Sequence, residues 1–304
     1  MVLLATRAFQ DGADPSGPRA VLVHGVTSSS RTWWRVGPAL ARRGFRVLAV
    51  DLRGHGASPR PVAGLVAADL AADVAETVTD AVGVAPASGP GPAPAVPPAA
   101  AASRFGPAAA PPVDLLVGHS LGALVALELV TARPGFARRL LLEEPPGPSS
   151  VDWVGLADGM EADRRRAVED PEALRRDLEA ENPRWPPGEA ERRVADLADC
   201  NATAIAAALR PGVPFDLAGL LAAARLPILL LLADEALGSS LTGVDRKAAV
   251  AAVGPAGSGE PQGGAPENRR ATRVLASGHS IHREALDAWL RELDAWLAGN
   301  PIRR

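Results

Sequence analysis

Val113-Asp114-Leu115-Leu116-Val117-Gly118-His119-Ser120-Leu121-Gly122-Ala123-Leu124-Val125-Ala126-Leu127-Glu128-Leu129 is the stretch that decides how this chain folds. The apolar run 115–117 reads as a buried strand, and the leucine- and alanine-rich run after Gly122 reads as a helix. Between them stands G-x-S-x-G. A serine presented on so tight a strand-to-helix turn adopts a strained backbone, so the positions two residues away must lack bulk, as Gly118 and Gly122 do. The turn also aims the Leu121 amide, at the positive end of the new helix, toward the space above the Ser120 hydroxyl. Alone, the pentapeptide is a glycine-bounded turn with an exposed serine. With a strand before it and a helix after it, Ser120 becomes a candidate nucleophile.

Outward from this point, short apolar runs alternate with helical patterns, the signature of an α/β chain with a mostly parallel sheet. Strands are expected over 2–6, 20–23, 47–50, 115–117, 140–142, 228–232 and 272–275. Helices are expected over 32–43, 67–82, 120–132, 241–253 and 283–297. In the last, Leu286, Trp289, Leu290, Leu293, Trp296 and Leu297 form one stripe that packs on the sheet. Segments 85–112 and 254–266 consist largely of small residues and proline and read as surface linkers. Between 145 and 225 the alternation stops, with charged amphipathic helices at 163–168, 171–181 and 189–209 and no strand between them. The expected organisation is a core of 1–147 and 226–304, interrupted by a helical lid at 148–225. Within it, 151–209 is expected to cover the nucleophile, with Trp153 and Trp185 as candidate substrate contacts.

The chain has 304 residues, 47% hydrophobic and 22% charged, enough for a sizeable core. A net charge of -3 gives no reason to expect nucleic acid or an anionic membrane as partner, and leaves a small-molecule substrate. Cys200 is the one cysteine, so no internal disulfide forms; it sits in a helical pattern far from histidine and reads as packing. No run approaches the roughly 20 apolar residues of a membrane span, and the opening residues lack the pattern of a signal peptide. The expected location is the cytoplasm. The absence of tyrosine removes that residue from any proposed base or oxyanion donor.

Three further loops carry chemistry. In Val21-Leu22-Val23-His24-Gly25-Val26-Thr27-Ser28-Ser29 a strand runs into a His-Gly turn. Gly25 lets the backbone approach a substrate closely, the Val26 amide is the second candidate oxyanion donor, and His24 is a loop brace rather than a base. Asp51-Leu52-Arg53-Gly54-His55-Gly56 follows the next strand and reads as a structural brace. Gly278-His279 follows the last strand, where an imidazole can take the proton of a serine on a neighbouring strand. His282, one turn on, reads as bystander or pocket wall. The histidine needs a carboxylate to hold its tautomer and stabilise its cation. Asp234-Glu235 and Glu143-Glu144 both stand at strand ends between Ser120 and His279. Asp234 is placed first, Glu144 second, then Glu143 or Glu235.

With these loops in this order, the chain resembles the α/β-hydrolase superfamily, and closely its lidded branch of serine esterases, C–C bond hydrolases, lactonases and haloperoxidase-like enzymes. The resemblance runs over nearly the whole chain. It implies an eight-stranded, mostly parallel sheet, Ser120 as nucleophile, His279 as base, the Val26 and Leu121 amides as oxyanion hole, and no cofactor or metal. One departure concerns the acid: the family's usual place, counted from Ala233, falls on Ala236, while some relatives use the earlier strand end. The implied activity is hydrolysis of a small, largely apolar ester or acyl compound through an acyl-enzyme. C–C bond hydrolysis or lactone opening on the same triad is the alternative, and a non-catalytic binding protein of this fold is another.

Overall fold

The computed structural model describes residues 2–9, 16–60, 66–81, 113–254 and 270–300. Its strands are β1 (Thr6–Phe9), β2 (Arg19–Val23), β3 (Arg46–Val50), β4 (Leu115–His119), β5 (Leu140–Glu143), β6 (Ile228–Ala233) and β7 (Ala271–Leu275). They form one sheet in the order β1-β3-β2-β4-β5-β6-β7, with β1 antiparallel and every other pairing parallel. Among the described residues the sheet therefore has seven strands rather than the expected eight.

The strand runs lack alternation because both faces are covered. Leu140 and Leu142 pack on one side with α2 (Ala67–Ala81), α3 (Leu121–Ala132), α8 (Leu217–Ala223) and α9 (Gly243–Val253). Leu141 points to the other side, with Leu115, Val117, α1 (Val36–Ala41) and α11 (Leu286–Gly299). Leu286, Trp289, Leu293 and Trp296 are the buried stripe of α11, as the sequence pattern requires.

Several boundaries differ from expectation for physical reasons. The first strand begins at Thr6 rather than residue 2, because the Val2 and Leu4 amides donate to Asp73 and Thr77 of α2 instead of to a strand. The helix expected over 32–43 is a 3-10 turn, Ser30–Trp33, followed by α1; Pro38 has no N–H to continue a ladder back to Trp34. The helix expected over 189–209 breaks at extended Cys200 into α6 (Glu189–Asp199) and α7 (Ala202–Leu209), the second capped by Asn201. A short α10 (Ile281–Glu284) precedes α11. Segment 85–112 lies outside the described residues, as does 255–266.

Between β5 and β6 the chain is helical throughout: α4 (Trp153–Glu169), α5 (Pro171–Glu181), α6, α7 and α8. Two small cores hold the first four together. One gathers Met160, Cys200, Ile205 and Leu209; the other gathers Ala167, Leu174, Val194 and Leu197. α8 belongs elsewhere, since its Leu217 and Leu221 pack in the main core with α3 and α9. Within 148–225, then, the separate helical layer is α4 to α7.

Candidate active site

Ser120 sits between the last residue of β4 and the first of α3, at φ 52° and ψ -121°, outside the ordinary regions for a residue with a side chain. Its amide donates to the Glu143 carbonyl of β5 at 2.9 Å, and its own carbonyl accepts from Ala123 at 2.9 Å, so the neighbouring strand and the first turn of α3 hold the strained residue. The glycines are needed for backbone clearance. A Cβ on Gly118 would overlap the Gly122 carbonyl, and one on Gly122 would overlap the carbonyls of Val23 and His24. Among the described residues, two other non-glycine residues have positive φ, Thr27 (53°) and Glu144 (45°), and both stand around the same site.

Ser120 and His279 line one cavity of about 530 Å³. The Val26 and Leu121 residues line it too, and their amides have no hydrogen-bond acceptor among the described residues. Gly25 forms part of the wall, where a Cβ would stand 2.9 Å from His119 Nδ1 and 3.0 Å from Ser120 Cβ. The helical layer contributes Trp153, Leu156, Met160, Trp185 and Leu209. Trp153 and Trp185, the candidate contacts of the sequence, both line it. His24 is not: it is fully buried behind the loop and lines no part of the cavity. Its Nδ1 donates to the Gly25 carbonyl at 2.7 Å and its Nε2 accepts from the Leu52 amide at 2.9 Å, so it braces the loop and touches no substrate.

The order of the candidate acids is corrected. Glu144, one residue past β5, has its Oε2 3.5 Å from His279 Nδ1. Asp234 instead caps the 3-10 turn Glu235–Leu237, accepting from the Ala236 amide at 2.9 Å. Glu144 is fully buried and held by donors on every side: the Ala233 amide at 2.6 Å, the Ser240 amide at 2.9 Å and the Ser239 hydroxyl at 3.0 Å. Burial alone would raise its pKa. The His279 hydrogen bond and charge, with the Ala233 and Ser240 amides, outweigh burial and hold the carboxyl below its ordinary range. Glu235 is exposed and pairs with Arg246 at 3.3 Å.

Glu143 is engaged on the other side of the strand. Its Oε1 accepts from His282 Nδ1 at 2.7 Å and from the His282 amide at 3.0 Å, and its Oε2 accepts from Trp289 at 3.0 Å. His282 is therefore neither bystander nor pocket wall but a buried link, with Thr32 Oγ1 donating to its Nε2 at 2.8 Å. Burial first, and Arg283 second, push its pKa well down. His119, the variable residue before Ser120, donates from Nε2 to the His279 carbonyl at 3.2 Å and so ties the nucleophile turn to the histidine loop. His119, Glu143 and His282 bring their ligand atoms within 4.8 Å of one another. Most of those atoms are already hydrogen-bonded within the protein, which identifies a structural network.

The loop carrying Val26 is held from two directions. The Thr27 amide donates to His55 Nε2 at 3.1 Å, and Asp51 accepts from the Ser30 amide at 2.6 Å and the Ala57 amide at 2.9 Å. The expected brace over 51–56 thus acts on the Val26 loop itself. From α6, Asp196 accepts from Ser29 Oγ at 2.6 Å and pairs with Arg31 at 2.9 Å, while Arg193 donates to the carbonyl and hydroxyl of Thr27. Arg193 and Arg283 both line the cavity. Sequence reading missed Arg193, Asp196 and Arg283, because in a charged amphipathic helix or a helix start they look like solvated faces.

Among the described residues, no helix is long and apolar enough to cross a membrane. The curated relatives match in part. Lipase LipV of Mycobacterium tuberculosis (strain ATCC 25618 / H37Rv) is 32% identical over 132 residues, 43% of this chain and 39% of that protein. Bifunctional epoxide hydrolase 2 of Sus scrofa is 52% identical over 46 residues, 15% of this chain and 8% of that protein. The matches thus span less than half the length of these relatives. In fold, the chain is similar to the crystal structure of a hydrolase from Pseudomonas aeruginosa PA01, with a TM-score of 0.65 at 23% identity, covering 97% of this chain and 94% of that one. The profile of the Alpha/beta hydrolase family matches residues 20–293, and the chain belongs to that family.

Proposed function

We propose that the protein is a serine hydrolase that cleaves an ester or similar acyl compound through an acyl-enzyme. The observation that carries this reading is Ser120 on its strained turn, sharing a cavity with a histidine whose Nδ1 faces a buried carboxylate. With Nδ1 turned to Glu144, Nε2 of His279 is the nitrogen left to take the Ser120 proton. The serine oxygen attacks the acyl carbonyl, and the negative oxygen that results is met by the Val26 and Leu121 amides. Collapse breaks the bond to the leaving alcohol, which takes its proton from the imidazolium. Water, activated by the same histidine, then releases the acid and restores Ser120.

A serine at this position differs from the carboxylate nucleophile of epoxide hydrolases, so the short likeness to one of them does not extend to that chemistry. The buried carboxylate beside His279 supports the catalytic reading over that of a non-catalytic relic. Helices α4 to α7 serve as the lid, because their side chains form one wall of the cavity and their polar residues are tied to the Val26 loop. Turnover of p-nitrophenyl acetate to octanoate tests the reading. Wild-type protein should release nitrophenol, and Ser120→Ala should lose roughly 10³-fold or more in kcat. Equal rates in the two proteins would reject it.

A further inference from the structure

Arg193 is a half-buried cation that makes no ion pair among the described residues. Its Nη2 donates to Thr27 Oγ1 at 2.8 Å and its Nη1 to the Thr27 carbonyl, both uncharged acceptors. Among the described residues, no Asp or Glu oxygen lies within ion-pair distance of it. Its neighbours differ. Arg31 pairs with Asp196 at 2.9 Å, and Arg283 pairs with Glu189 at 2.9 Å. Burial first, and the charge of Arg283 second, push the Arg193 pKa down to about 10 against the opposing charges of Asp196 and Asp163, which still leaves it cationic at neutral pH.

A partly desolvated cation gains from a directly paired anion, and a guanidinium has five N–H donors. Thr27 uses two of them here. Arg193 also lines the cavity that holds Ser120, so the remaining donors are within reach of whatever occupies it. Arg283 lines the same cavity. Asp163 is the other charged residue of the wall; its charge acts on Arg193, but it makes no ion pair with either arginine. The rest of the wall is largely apolar, with Val151, Leu156, Met160 and Leu209 offering carbon surface.

Resting on the acyl-enzyme reading above, we propose that the substrate is an acyl compound carrying a second, free carboxylate, which Arg193 holds while the acyl carbonyl lies at Ser120. The carboxylate supplies the direct ion pair that Arg193 lacks, and a fork of N–H donors matches its two oxygens. The apolar wall takes the methylenes between the two ends. Because Arg193 also holds Thr27, next to the Val26 amide, filling its remaining donors steadies the loop that meets the oxyanion. The chemistry itself is unchanged: water cleaves the acyl bond, and a dicarboxylic acid leaves.

The test compares mono-p-nitrophenyl esters of succinic, glutaric and adipic acids with the same compounds capped as neutral methyl esters. For at least one length, the free acid should have a kcat/KM roughly 10- to 100-fold above its neutral partner. In Arg193→Met both rates fall, but the ratio should drop to about one; Arg193→Lys should keep part of it. Calorimetry with glutarate and adipate gives a readout independent of turnover, with binding expected to wild type and to Ser120→Ala and lost in Arg193→Met. A wild-type preference for the neutral esters, an unchanged ratio in Arg193→Met, or no diacid binding would overturn the proposal. Labelling of Ser120 by a fluorophosphonate separates the two failures: a labelled serine without acid preference rejects this inference alone.

Discussion

Glu144 Oε2 lies 3.5 Å from His279 Nδ1, and the same carboxylate accepts the Ala233 amide at the end of the neighbouring strand at 2.6 Å. The second contact explains the first. β5 lies beside β6 in the sheet, so a residue just past β5 can lean across the end of β6 toward the histidine loop after β7. The positive φ of Glu144 turns the chain sharply there, and the amides and hydroxyls around it fix one orientation. The separation from His279 is long for a hydrogen bond, and the proposed mechanism has it tighten when substrate binds.

The acid assignment makes the first prediction. Glu144→Gln keeps the shape and removes the charge, and should cut kcat by roughly 10⁴-fold. Asp234→Asn still caps its turn and should change kcat by less than about threefold. Steady-state kinetics on one ester decides it. The reverse pattern would place the acid at the end of β6.

Acid should destabilise the fold steeply. His24, His55, His119 and His282 all have pKa values lowered first by burial, His55 to about 3. In His24 and His55 the Nε2 atoms accept backbone amides, so protonation would set a donor against a donor. The unfolded chain therefore binds protons that the folded chain refuses. Stability is full above the ordinary histidine pKa of about 6.5 and is lost as pH falls below it, by up to about 1.4 kcal/mol per pH unit for each group. Urea midpoints measured from pH 7.5 to 4.5 should be level at first and then drop sharply. A flat profile would contradict the neutral, buried state of these rings.

Two glycine-to-alanine changes should have opposite signs. At Gly122 the added methyl meets the carbonyls of Val23, the last residue of β2, and of His24 just after it, which are backbone and cannot yield. Gly122→Ala should cost more than about 3 kcal/mol or prevent folding. Gly159, exposed within α4, has nothing within 4 Å of the new atom, so Gly159→Ala should stabilise by about 0.5–1 kcal/mol. Chemical denaturation of both proteins measures the contrast.

If the helical layer sets substrate size, narrowing its wall should narrow the specificity. Leu156 lines the cavity from α4. In Leu156→Trp, long acyl esters should lose about tenfold or more in kcat/KM relative to acetate. An unchanged chain-length profile would mean that substrate lies elsewhere.

Much of this was legible in the sequence, and the rest had definite reasons not to be. Ser120 and His279 announce themselves locally, one by the glycines a strained turn requires, the other by its place after a terminal strand. Leu140 to Leu142 and Ile228 to Leu232 read as strands because both faces of the sheet are covered. Glu144 was ranked below Asp234 because its role depends on strand order and on a turn at positive φ, neither of which leaves a local pattern. Asp234 had a competing local use, since an aspartate two residues before an amide, with Gly238 closing the turn at φ 99°, is a capping arrangement. Arg193 was invisible for a different reason. Its burial exists only because α6 packs against the Val26 loop.

The most direct measurement of the central claim is covalent labelling. The protein is treated with a fluorophosphonate at neutral pH, digested, and mapped by mass spectrometry. The account predicts one modified residue, Ser120, with labelling absent in Ser120→Ala and markedly slower in Glu144→Gln. Folded wild-type protein that remains unlabelled, or that carries the label on another residue, would contradict it.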